Sequence, residues 1–427
     1  MLGSLANAWK VPELRTRLMF TAGLIAAYRL GAYIPLPGIS REAIATGIQT
    51  GQNAITGLFG VFTGGAFNNL SVFSLGIMPY ITAAIVMQLM TVAIPRLQEL
   101  AKEGETGQQK ITQYTRYFTL ALALLQSIAM VLFFRSAQGG NVLASGTPID
   151  FFLVIVTLTT GVMLTMWLGE LISQRGLGNG ISLIITVSIL SRAPNAIRTL
   201  LEDGSVLNMV ILVLLAVLVV AAIVFVNEGQ RRVPITYAKQ QVGRRMSRGG
   251  TTYLPLKVNM AGVIPIIFAS SLLIFPVVLG QLFAGGDPDS ILGRLAAFFA
   301  PGNAPYLILY ALLIIMFTYF YTAVQFNPIE HADNLKKSGG YVPGIRPGQP
   351  TAVYLNNVLT RITLFGAVFL ASVAVFPYLI TGIMNLPQSI FLGGTSMLIV
   401  VGVSLDTVRQ LESQLMMRNY EGFLRKR

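Results

Sequence analysis

Cysteine is absent from the 427 residues, so no disulfide framework, thiolate nucleophile or cysteine-based metal site is possible. Histidine occurs once, at His331, which excludes multi-histidine metal sites, among them the two-histidine zinc protease motif. Charge is also scarce: Asp, Glu, Lys and Arg make up 11% of the chain, against about 25% in a soluble globular domain. A nucleophile–base–acid constellation needs a base, and one loop histidine is a poor start. The Gly178-x-Gly180 pair lacks the strand–turn–helix context of a phosphate loop and reads as a tight turn between helices. These absences point away from an enzyme and away from metal or cofactor chemistry.

What is present is apolar. Hydrophobic residues make up 54% of the sequence and recur in runs of about 20, long enough to cross a hydrocarbon core about 30 Å thick. In lipid every backbone polar group needs an internal partner, so such runs are helices. Ten spans are expected at 18–36, 74–95, 114–134, 151–172, 180–197, 207–227, 259–283, 305–326, 355–379 and 387–406. The fifth is short and interrupted by Arg192 and Pro194. Met1 to Arg17 is polar and basic, and the run that follows ends in Tyr33-Ile34-Pro35-Leu36-Pro37-Gly38 without a small-residue cleavage site, so the first span is expected to stay in the mature protein. Of 30 Lys and Arg residues, 23 fall on the side of the alternation that holds the termini, five on the other, and Arg29 and Arg361 lie inside spans. By the positive-inside rule both termini face the cytoplasm.

Intramembrane charge marks ion-coupled transporters, and here it is thin. Arg29 reads as a long stem snorkelling toward the outer interface, Glu170 and Asp406 as solvated carboxylates at helix ends, and Asp150 as a helix cap. No midplane carboxylate pair or proton relay is evident, which weighs against a solute permease. The connection 37–73 is too apolar for a solvated loop and too glycine-rich for a span, so it is expected to fold back as a short or re-entrant helix; a scaffold with no pathway would not need one. Two basic internal connections, 228–258 and 327–352, are longer than topology requires and suit an anionic lipid, acidic protein or RNA partner. Ten spans divide into halves of five, 1–200 and 201–427, the second ending in a tail at 407–427. An odd number per half would invert one half against the other, with a pathway between them.

Particular stretches carry a resemblance. Leu75-Gly76-Ile77-Met78-Pro79-Tyr80-Ile81, Met166-Trp167-Leu168-Gly169-Glu170, Arg175-Gly176-Leu177-Gly178-Asn179-Gly180-Ile181-Ser182, the run from Leu254 to Pro265, the tip from Pro343 to Gly348, and Leu392-Gly393-Gly394-Thr395-Ser396 occur in order within the ten-span frame. Together they closely resemble the bacterial SecY family, the central subunit of the general protein translocation channel. The resemblance implies an all-α polytopic fold whose two inverted five-helix halves clamp an hourglass pore. It also implies a lateral gate between the second and third spans and the seventh and eighth. A plug is implied at about 57–69, with Gly57, Leu58, Phe59, Gly60, Val61, Phe62 and Phe67 in it, and an aliphatic pore ring of Ile77, Ile81, Ile181, Ile185, Ile267 and Ile399. Ile77/Ile81 and Ile181/Ile185 are i, i+4 pairs, each on one helix face, and an aliphatic collar can gate by dewetting.

The implied activity is passive: unfolded secretory chains cross the bacterial plasma membrane through the pore, and apolar segments leave sideways into lipid. The implied docking residues are Arg231, Arg232, Lys239, Arg244, Arg245 and Arg248 on the first basic loop and Lys336, Lys337 and Arg346 on the second. Guanidinium groups bind ribosomal RNA phosphates or acidic protein faces bidentately. The implied partners are the small membrane subunits SecE and SecG, the motor ATPase SecA, the ribosome, secretory preproteins with their signal sequences, and the lipid bilayer. No cofactor is implied.

Overall fold

A computed structural model describes residues 9, 11–38, 60, 62–137, 147–194, 197–198, 206–237, 241–242, 245–246, 250–283, 298, 303–384 and 394–424. Ten long or apolar helices follow the ten expected spans. They are α1 (Pro12–Gly31), α2 (Met78–Ala93), α4 (Glu105–Ala137), α5 (Pro148–Arg175), α6 (Gly180–Leu190), α7 (Val206–Glu228), α8 (Ile264–Phe283), α9 (Ala304–Gln325), α11 (Gln349–Met384) and α12 (Gly394–Leu424). Two short helices lie between them, α3 (Pro95–Lys102) and α10 (Pro328–Lys337). By length and apolar composition alone, five of the described helices could cross a membrane, or six with the bent α2–α3 pair counted as one span.

Local chemistry sets the boundaries. Pro12 opens α1 at a position where its missing N–H costs nothing. Pro95 keeps Ile94 extended, ends α2, and turns α3 away by 98°. Thr147 and Asp150 form a reciprocal capping box at the start of α5, so Asp150 does cap the helix, as the third residue of the box rather than as the N-cap itself. Asn179 caps α6, its side chain accepting from the N–H groups of Ile181 and Ser182. The α6 helix stops at Leu190, short of the expected 197, because Ser191 closes it and Pro194 follows. Conversely, the tail expected as separate after residue 406 is a continuation of α12, which runs unbroken to Leu424.

The two halves repeat one packing pattern. In the first, α2 packs on α4, α4 on α5, α5 on α6, and α1 on α6; in the second, α8 packs on α9, α9 on α11, α11 on α12, and α7 on α12. Matching the helices in order, each of these pairs in one half has its counterpart in the other, while α1 against α5 and α2 against α5 have no counterpart as close in the second half. Five helices per half then require opposite insertion, the inverted arrangement. The halves meet along two seams: α8 against α2 and α4, and α12 against α6.

Among the described residues, strands occur only in the long basic connections. β1 (Gln230–Tyr237) pairs antiparallel with β4 (Thr251–Lys257), Val233 opposite Leu254, and on its other edge with β5 (Gly340–Tyr341). A two-stranded ribbon, β2 (Gln241–Val242) with β3 (Arg245–Met246), lies between β1 and β4 in sequence. The connections 228–258 and 327–352, which the sequence presents as separate loops, therefore share one sheet in the order β4-β1-β5.

Candidate pore seal and docking surface

The chain leaves α1 extended and meets the re-entrant segment edge to edge. Leu36 N–H donates to the Leu70 carbonyl at 2.9 Å and Val72 N–H to the Ile34 carbonyl at 3.0 Å. Non-helical backbone at membrane depth survives only if its polar groups are paired, and small hydroxyl side chains supply the pairing here. Ser71 Oγ donates to the Ala66 carbonyl at 3.2 Å, Ser74 Oγ shares its proton between the Ser71 carbonyl at 2.6 Å and that of Ala66 at 3.0 Å, and Thr63 Oγ1 accepts from Phe67 N–H at 3.3 Å. All three hydroxyl residues are fully buried. Phe73 stacks on Tyr28 of α1 with ring centroids 5.5 Å apart. Close backbone approach needs glycine twice: a Cβ on Gly31 would sit 2.1 Å from the Phe73 ring, and one on Gly161 of α5 would sit 2.0 Å from the Val72 carbonyl oxygen. In the connection 37–73, residues 60 and 62–73 pack back against α1 and α5, while 39–59 and 61 lie outside the described residues. Of the residues expected in a plug, Gly60, Phe62 and Phe67 lie in this segment and are buried, while Gly57, Leu58, Phe59 and Val61 lie outside the described residues.

Five of the six isoleucines expected to form a ring, Ile77, Ile81, Ile185, Ile267 and Ile399, are buried at 5% exposure or less in one contiguous apolar cluster, and Ile181 packs against it half-buried. They come from four helices or their first residues: α2, α6, α8 and α12. The same cluster contains Phe62 and Phe67. Residues some 320 positions apart in sequence thus converge where both halves meet the re-entrant segment.

Two charged residues, Arg29 and Glu170, differ from the sequence reading, while Asp406 keeps an exposed side chain, as that reading has it. Arg29 does not reach outward as a free snorkelling chain; its Nη1 donates to the Gly64 carbonyl at 3.1 Å and its guanidinium stands 5.7 Å from the Tyr33 ring centre. Glu170 is not a solvated carboxylate. It accepts two bonds from Arg116 of α4, from Nε to Oε1 at 2.9 Å and from Nη2 to Oε2 at 2.6 Å. Asp406 lies 4.0 Å from Arg409, whose other nitrogen reaches Glu228 at 2.8 Å and the Asn227 carbonyl at 3.0 Å. A cation on the last carbonyls of α7 complements that helix's negative end. Aromatic and hydropathy patterns hide such pairs, because the partners sit on different helices 54 and 181 residues apart.

The turn read at Gly178–Gly180 is present: Gly178 has φ +81°, and a Cβ on Gly180 would sit 2.0 Å from the Gly169 carbonyl oxygen. The two basic loops build one surface. Val233 and Leu256 turn inward onto Phe326, Val342, Leu355 and Leu359, while Arg231 and Arg232 are exposed. Lys336 and Lys337 close α10 exposed, and Arg346 is exposed at a tip whose carbonyl is fixed by Thr351 Oγ1 at 2.9 Å. Arg245 lies on β3; its side chain, together with Lys239, Arg244 and Arg248, lies outside the described residues. The sequence carries only part of a strand signal here: Val233/Ile235 and Leu254/Leu256 recur at the strand period, but Pro234 and Pro255 stand between them, and a proline within a run argues against a strand.

Comparison with known proteins matches this arrangement. The SecY family model covers residues 71–408. The chain belongs to the SecY family. Relatives described as Protein translocase subunit SecY include that of Streptomyces scabiei, 47% identical over 441 aligned residues, and that of Mycobacterium tuberculosis, 45% over 447, each match spanning 100% of both chains. Among solved structures, one described as that of a protein conducting channel matches with TM-score 0.64 and 17% identity, covering 93% of this chain and 91% of its own. Sec61 in the canine ribosome–channel complex from the endoplasmic reticulum matches with TM-score 0.61 at the same identity and coverage. Identity that low carries the fold alone, and the fold is that of SecY and Sec61: a multi-pass membrane protein of ten helices in two inverted halves.

Proposed function

We propose that this chain is the channel subunit of a bacterial protein translocase, passing unfolded secretory polypeptides across the plasma membrane and releasing apolar segments sideways into lipid. The observation that carries the reading is the convergence of Ile77, Ile81, Ile185, Ile267 and Ile399 with Phe62 and Phe67 in one apolar cluster between the halves. An aliphatic constriction excludes ions by dewetting while giving a passing chain no strong polar grip. The chain is a conduit, not an enzyme, and the energy of transport comes from a partner.

On this reading residues 1–200 and 201–427 are the two halves, the six isoleucines form the ring, and the segment near 57–69 is the plug. The shared sheet with Arg231, Arg232, Lys336, Lys337 and Arg346 is the docking face for a ribosome or a motor ATPase, SecA. SecE and SecG are the accompanying small membrane subunits. Both termini and the basic loops lie in the cytoplasm, as the positive-inside rule requires.

The test is ion conductance of the purified channel in planar bilayers, comparing wild type with a deletion of residues 57–67. A tight wild type and a leaky deletion support the plugged pore. If both are equally tight with folding confirmed, Ile77→Asn with Ile81→Asn in the deletion background decides; continued silence refutes the ring.

A further inference from the structure

In a chain with little charge inside its spans, two arginines stand against one short stretch of backbone. Arg29 Nη1 of α1 donates to the Gly64 carbonyl at 3.1 Å, and Ser191 Oγ, at the end of α6, shares its one proton between the Ser188 carbonyl at 2.7 Å and this same oxygen at 3.2 Å. Arg192 lies beside Gly60, where a Cβ would meet its Nη1 at 2.8 Å. Gly64 is required twice over: its φ is +64°, and a Cβ there would sit 2.8 Å from the Ser188 Cα. One residue before Arg29, Tyr28 shares a 2.9 Å hydrogen bond with Ser188 Oγ. So α1 and α6 are tied to each other, and both are tied to the same carbonyl.

Beyond Gly64 the backbone is held many times over. Ser71 and Ser74 bond to Ala66, the Pro35–Ser71 bridge joins the segment to the end of α1, and Phe73 is stacked. Gly65, with φ +86°, turns the chain at that joint, its N–H donating to the Gly60 carbonyl at 3.1 Å and its carbonyl accepting from Asn69 N–H at 3.1 Å. An arginine within a span is costly and marks function when its partner is specific. Here the partner is a backbone oxygen that has left secondary structure.

We propose that Arg29 is a positioning residue for the seal: with Ser191 it fixes the Gly64 carbonyl to α1 and α6 and thereby holds the re-entrant segment in its closed seating. The inference rests on the plug reading above. A charged hydrogen bond of this kind biases a two-state seating by roughly tenfold or more.

The experiment is planar-bilayer conductance of the full chain as wild type, Arg29→Gln, Arg29→Lys, Ser191→Ala, the 57–67 deletion, and that deletion carrying Arg29→Gln. Thermal unfolding confirms folded protein in each. Arg29→Gln is expected to raise resting leak by about tenfold, Ser191→Ala by less, and Arg29→Lys to restore most of the seal. In the deletion, which lacks Gly64, Arg29→Gln is expected to add nothing. Arg29→Gln as tight as wild type beside a leaky deletion overturns the latch and leaves the plug standing. A tight deletion overturns the plug, and the latch with it. Equal added leak in both backgrounds shows that Arg29 acts on the pore directly, which also overturns the proposal. Should Arg29→Gln not fold, Ser191→Ala decides: no leak above wild type refutes the latch.

Discussion

Truncating one side of the Arg116–Glu170 pair should cost far more than truncating the other. The pair joins α4 to α5 by two parallel bonds of 2.9 and 2.6 Å, but its members are unequally covered: the Arg116 side chain is 40% exposed and that of Glu170 14%. Arg116→Ala leaves a covered carboxylate with no partner. A fully buried orphan charge costs about 3–5 kcal/mol, and one at Glu170's residual exposure about 2–3 kcal/mol. Glu170→Gln keeps the side-chain shape and one acceptor and leaves an arginine able to turn toward water; it should cost about 1 kcal/mol. Removing both with Arg116→Ala and Glu170→Gln should recover part of the larger loss, because no charge is then stranded. The assay is a double-mutant cycle on unfolding in detergent at fixed ionic strength. Equal single-mutant losses, or a double mutant that is the plain sum of both, would refute the argument from unequal burial.

Two further predictions concern packing and docking. Gly161→Ala puts a methyl 2.0 Å from the Val72 carbonyl, so α5 must withdraw from the re-entrant segment; it should lower stability by about 1–3 kcal/mol, read as a drop in unfolding midpoint. An unchanged midpoint would show that the approach is looser than the geometry states. Arg346→Ala removes an exposed side chain while the tip stays fixed through the backbone carbonyl; unfolding should be unchanged and partner-driven translocation reduced several-fold, as expected for a lost charge-assisted contact. Undiminished translocation would remove Arg346 from the docking face.

The ten spans were legible because each apolar run is continuous and the basic residues alternate with it, so one sequence-local rule finds both the helix and its direction. The turn at Gly178 and the cap at Asp150 were legible for the same reason: their partners lie within three residues or across one turn. What escaped were interactions across the bundle. Arg29 reads as a lone cation until Gly64, 35 residues away, supplies a carbonyl. Glu170 reads as a surface acid until Arg116 arrives from another helix. The shared sheet escaped because β1 takes a partner on each edge, and the second, β5, contributes only Gly340 and Tyr341, too short to show any period. The ring isoleucines lie between these cases. As single residues they read as lipid-facing or packing positions, and only the resemblance singled them out.

The two seams between the halves are unlike in a way that bears on sideways release. Where α12 meets α6, Thr407 lies close to Gly178, and Leu411 joins Leu14 and Leu177 in a cluster knotting both halves and the α5–α6 turn. Where α8 meets α2 and α4, the cluster is made of apolar side chains such as Ile81, Ile85, Met130, Phe268 and Leu273. The buried serines of α8 add no staple there: Ser270 turns back to the Ile267 carbonyl of its own helix, and the Ser271 hydroxyl has no partner. In lipid, apolar packing lost between helices is largely replaced by contact with acyl chains, so parting such a seam costs little beyond lost shape complementarity. A polar staple across it would raise that cost by a full hydrogen bond in a medium without water. Among the described residues the seam of α8 with α2 and α4 carries no such staple, which on the proposed reading makes it the seam an apolar segment parts.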